Sequence, residues 1–112
     1  IVDGTNVITG ITERGFVTTT NAYTAVNHDQ VIVDTSAAAV TVTLPASPAV
    51  GNEVHFIDGK LSFNSNNLTI GRNSQPIQGV ASDLTVNTNG QSFTLVYANS
   101  TKGWVKKHFA GT

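Results

Sequence analysis

The sequence predicts an all-β domain, an antiparallel β-sandwich or jelly-roll-like unit with an extended N-terminal arm, and three observations predict it. Apolar and polar residues alternate in short runs. In "VTVTL", Val40, Val42 and Leu44 lie on one face and Thr41 and Thr43 on the other. In "EVHFID", Val54 and Phe56 take one face while His55 and Ile57 take the other. Turn-forming pairs such as Asp58-Gly59 and Asn89-Gly90 punctuate these runs at the spacing of small sandwiches and barrels. No segment carries the spacing of an amphipathic helix.

The elements follow in order. The opening "IVDGTNVITGITERGFVTTTN", residues 1–21, scatters isolated apolar residues among Gly, Thr and Asn, which reads as an extended arm or linker, or as a pair of short strands at the domain edge. The rest, residues 22–112, forms the sandwich module. "AYTAV" is a short strand, and "QVIVDT" is a compact apolar run suited to a strand buried on both sides. Pro45 ends "VTVTL" because it cannot donate to a ladder. "NLTIG", "PIQG" and "DLTVN" repeat the alternation with Leu68 and Ile70, then Leu84 and Val86. Asn89-Gly90 predicts a type I′ turn joining "DLTVN" to "SFTLVYA" as a hairpin, since both residues tolerate positive φ. "GWVKK" closes the series, its Lys pair guarding an exposed edge. The total is about eight short strands.

Composition narrows the function classes. At 112 residues the chain is one domain with one core. Charged residues make up 12% of it and the net charge is -1, so it lacks the basic field that holds nucleic acid. Cysteine is absent, which removes disulfides, thiolate metal sites and a Cys nucleophile. No apolar run approaches the roughly 20 residues that cross a bilayer, and no signal-peptide pattern opens the chain, so a soluble chain without membrane insertion is expected. Methionine is also absent and Ile1 leads the sequence; both predict a piece or processed product of something longer.

Several strands carry an apolar residue out of phase with the main row: Ile32 between Val31 and Val33, Ile57 after His55, Val96 between Leu95 and Tyr97. These residues need cover, either as part of central strands between two layers or against the same face of a neighbouring protomer. Ile32, Ile57, Val96 and His55 are therefore the oligomer-interface candidates. His28-Asp29 and His55 with Asp58 are the His/carboxylate neighbours, but adjacent strand residues point to opposite faces and give no local nucleophile and base pair. No catalytic residue, cofactor site or metal site is assigned, and the chain is read as a non-enzyme. The remaining metal option for His55 is a threefold axis supplying one His per chain. Tyr23, Arg72, Tyr97 and Trp104 are the glycan-contact candidates, with Trp104 read first as a core aromatic. The polar loop "SFNSNN" could add hydrogen bonds to a sugar.

Residues 22–107 carry, in order, "YTA", "DTS", "VTLPASPAVGNEV", "NNLTIGRN", an I-Q-G step and the closing "LVY" and "GW". With these motifs the segment resembles a module of tail fibres, tailspikes and related virion proteins of tailed bacteriophages. Ala37-Ala38 stands where that pattern would place glycine. The resemblance implies a homotrimeric structural module serving assembly and host attachment, located in the virion after assembly in the host cytoplasm. Its implied partners are other copies of itself, other tail proteins and a bacterial surface glycan or receptor. It implies no catalytic set. Two alternatives from other classes are a monomeric carbohydrate-binding module and a capsid or neck decoration protein.

Overall fold

The computed structural model describes residues 15–107 and contains strands and turns without a helix. Nine strands run in chain order: β1 (Phe16–Thr19), β2 (Tyr23–Thr24), β3 (Asp29–Val33), β4 (Val40–Thr43), β5 (Glu53–Asp58), β6 (Leu68–Gly71), β7 (Leu84–Val86), β8 (Ser92–Asn99) and β9 (Gly103–Lys107). They form a five-stranded sheet, β1-β3-β5-β8-β9, and a four-stranded sheet, β2-β4-β6-β7. The all-β class predicted from the alternation is what the chain adopts.

The pairing direction is not. β1, β3 and β5 pair in parallel, as do β2, β4 and β6, so the predicted antiparallel sandwich is replaced by two mixed sheets. Over its first six strands the chain alternates between sheets, winding three flattened coils that each give one strand to each sheet. Parallel neighbours need a crossover, and here the crossover is a strand of the opposite sheet. "VTVTL" and "EVHFID" illustrate this: β4 and β5 follow one another across the Pro45–Pro48 corner but lie in different sheets. Only the last part is antiparallel, with β7 closing one sheet on β6 and β8 and β9 closing the other on β5.

One further expectation is corrected. β7 and β8 belong to different sheets, so Asn89-Gly90 joins no hairpin; Gly90 alone of the pair has positive φ, at 78°, whereas a type I′ turn needs both residues there. Of the two readings of the opening segment, edge strand holds for Phe16–Thr19, which pairs with Gln30–Val33 as β1. The remainder of that prediction, residues 1–14, and the module's last residues, 108–112, lie outside the described residues. Ala37 and Ala38 have no positive φ, so their turn has no need of glycine.

The inward rows of both sheets meet in one core. Val31, Val33, Val54, Phe56 and Leu95 from one sheet pack with Val42, Leu68 and Ile70 from the other, and Leu44, Phe63 and Trp104 complete it, all fully buried. Each such side chain contributes roughly 1.5–3 kcal/mol over an exposed one. β3, expected to be buried on both sides, alternates instead: Val31 and Val33 are buried while Gln30 and Ile32 are half-buried. The Phe56 and Phe93 rings meet at 5.6 Å, tilted by 37°, and Tyr97 meets Trp104 edge-on at 5.5 Å.

Candidate functional site

Sheet register collects the out-of-phase residues on one surface. Neighbouring strands hold paired residues on the same side, so the side of the five-stranded sheet turned away from the core can be read off the pairs. Thr18, Ile32, Ile57 and Ser92 form one row; Phe16, Gln30, His55, Thr94 and Lys107 form the next; Glu53, Val96 and Val105 form the third. Ile32, Ile57 and Val96 thus share a face with His55, and all four are half-buried. Ile32 and Ile57 are direct neighbours, Val96 lies beside Val105 in the opposite corner, and a polar row separates the two apolar corners. Phe16 extends the face at its edge and is 62% exposed.

His55 sits in the middle of the polar row. Its Nδ1 is 2.5 Å from Thr94 Oγ1 and its Nε2 is 3.1 Å from Ser92 Oγ. A hydroxyl can donate or accept, so the neutral ring is satisfied at both nitrogens. Burial holds its pKa below the ordinary 6.5, and the Glu53 carboxylate offsets this only in part. Burial therefore favours the uncharged ring, and both nitrogens have hydroxyl partners within the chain. Glu53 also meets Lys107, Oε2 to Nζ at 3.4 Å, an exposed pair worth about 0–1 kcal/mol.

The glycan candidates are not brought together. Trp104 is fully buried and Tyr97 is 6% exposed, so neither ring offers a face to a sugar: Trp104 is a core aromatic, as its first reading has it, and Tyr97 is corrected from a glycan-contact candidate to a core residue. Trp104 Nε1 is buried without a hydrogen-bond partner. Tyr97 Oη donates to Gln75 Oε1 at 2.9 Å, and Arg72 Nη1 reaches the Gln75 carbonyl at 3.4 Å, so Arg72 braces the 72–75 turn beside Tyr97. The Arg72 backbone N–H is held by Asp83 Oδ1 at 2.9 Å. Tyr23 instead donates its hydroxyl to Asp29 Oδ2 at 2.6 Å. Among the described residues no group of three or more His, Cys, Asp or Glu is placed to hold a metal ion.

Sequence reasoning missed the Asp58 carboxylate. Asp58 is 4% exposed and points opposite to His55. Its Oδ1 accepts the Ser62 N–H at 3.0 Å, and its Oδ2 accepts those of Phe63 at 3.1 Å and Gly90 at 2.9 Å. Burial alone would raise its pKa, but the N–H groups of Gly90, Ser62, Phe63 and Lys60 outweigh it and hold the carboxyl below 3.8. These bonds fold the "SFNSNN" loop inward and bury Phe63 completely. Asn66 Nδ2 to the Thr35 carbonyl and Asn67 Nδ2 to the Phe63 carbonyl tie down the rest of it. Asp58-Gly59 was legible as a turn, but the partner at Gly90 lies too far along the chain for any local signal.

No protein-family model matches the chain, and no curated protein matches it.

Proposed function

We propose that the chain is a non-enzymatic structural module of a bacteriophage tail fibre or tailspike, which assembles as a homotrimer and serves virion assembly and host attachment. The observation that carries this reading is the outward face of the five-stranded sheet, which holds the neighbours Ile32 and Ile57 in one corner, Val96 beside Val105 in the other, and the exposed Phe16 at its edge. A solvated sheet face is ordinarily polar, and apolar residues gathered on one side of a small domain favour contact with other copies of the same face. His55 hydrogen-bonds the hydroxyls of Thr94 and Ser92, and the charged residues of this face, Glu53 and Lys107, meet each other at 3.4 Å, so covering the face leaves these groups partnered. The resemblance of residues 22–107 to tail modules supplies the setting: further tail proteins and a bacterial surface glycan or receptor as partners, in the virion.

The test is absolute mass by light scattering on a size-exclusion column over a range of concentrations, for the chain and for Ile57→Lys. The reading expects a trimer that Ile57→Lys converts to monomer with the strand content retained. A chain that stays monomeric at high concentration, or a trimer indifferent to the charge, refutes the proposed face.

A further inference from the structure

Asn89-Gly90 is the dipeptide most prone to spontaneous deamidation, because glycine has no Cβ to hinder ring closure. In that reaction the Gly90 nitrogen loses its proton and attacks Asn89 Cγ. The new Cγ–N bond forms as the Cγ–Nδ2 bond breaks, and ammonia leaves with the proton. Water then opens the succinimide at either carbonyl, giving Asp or isoaspartate at position 89. Both reacting groups are held in this fold. The Gly90 N–H donates to the buried Asp58 Oδ2 at 2.9 Å, and Asn89 Oδ1 accepts the Asn64 backbone N–H at 2.7 Å.

We propose that the Asp58 carboxylate guards Asn89-Gly90, making it a latent modification site that deamidates only when this contact opens. Deprotonating Gly90 would place a second negative charge at hydrogen-bond distance from the Asp58 carboxylate, which is itself 4% exposed, and like charges that close repel. The Asn64 N–H on Asn89 Oδ1 fixes where the Asn89 amide lies, beside the 62–65 loop. Once formed, the product undermines the guard. Aspartate at 89 adds a carboxylate next to Gly90, whose N–H is held by Asp58, and isoaspartate lengthens the backbone by one methylene between the Asn64 and Asp58 contacts. Modification therefore loosens the segment that carries the chain from β7 to β8.

The experiment incubates the full chain in mildly alkaline buffer and follows Asp and isoaspartate at position 89 by peptide mass mapping. Native protein, urea-unfolded protein and folded Asp58→Asn are compared, with folding checked by circular dichroism. The native chain should deamidate at least about tenfold more slowly than the unfolded chain, and Asp58→Asn should recover much of that difference. Native deamidation as fast as unfolded overturns the proposal. So does a folded Asp58→Asn with an unchanged or slower rate, the slower case making Asp58 a base that assists cyclisation. Should Asp58→Asn not fold, hydrogen exchange of the wild-type Gly90 amide decides. It is also a base-driven proton loss, and the guard requires protection comparable to the Ser62 and Phe63 amides; an unprotected Gly90 amide overturns it.

Discussion

A Cβ placed on Gly103 would fall 1.9 Å from the carbonyl oxygen of Pro76. That oxygen accepts the Trp104 N–H at 2.9 Å, and Gln78 N–H donates back to the Trp104 carbonyl at 2.7 Å, so the 76–80 loop lies along β9 as a further short partner. Gly103 also has φ +70°, which L side chains rarely adopt. Steric overlap with backbone and an unfavourable φ act together. Gly103→Ala should cost about 3 kcal/mol or more, read as a lower urea midpoint with loss of the Ile77–Trp104 contact.

Trp104 itself provides a second test. Its Nε1 has no partner to lose, so Trp104→Phe removes volume and also removes an unsatisfied buried donor. The expected cost is about 1–2 kcal/mol, against about 3–5 kcal/mol for Trp104→Ala. Equal costs in denaturant titration would mean that the indole N–H does stabilise the fold.

Asp58 should govern acid stability. Its folded pKa lies below 3.8, so the unfolded chain binds the proton more readily. The contribution is complete above about pH 4 and is lost as pH falls through the depressed value. Asp58→Ala leaves buried N–H groups unpaired and should cost about 2–4 kcal/mol at neutral pH, with a shallower fall of stability in acid. A variant that keeps the wild-type acid profile would move that role to another carboxylate.

His55 acts in a different window. Its folded pKa is held below 6.5, chiefly by burial, so protonation favours the unfolded chain. Stability should be level above pH 6.5 and decline as pH falls from there through the lowered value. His55→Gln, which retains hydrogen bonding to Thr94 and Ser92 without titrating, should flatten this part of the profile in thermal unfolding.

Local patterning alone shows that the described chain is sheet and which side chains point inward. The period-two pattern of "VTVTL" and "EVHFID" states both, because alternation across a strand is local covalent geometry. It placed Trp104 in the core and put Ile32, Ile57 and Val96 off the main apolar rows. Which strands become neighbours is visible only in the folded chain. Alternation is the same for a parallel and an antiparallel partner, and the coils differ in length, Phe16 facing Gln30 and Gln30 facing His55, so no repeat marks them. The same holds for Asp58: a carboxylate that joins residues 62, 63 and 90 is defined by contacts between segments that meet only after the sheets have formed. Local patterns set faces and turns, while pairing direction and buried polar contacts depend on neighbours that the chain brings together only on folding.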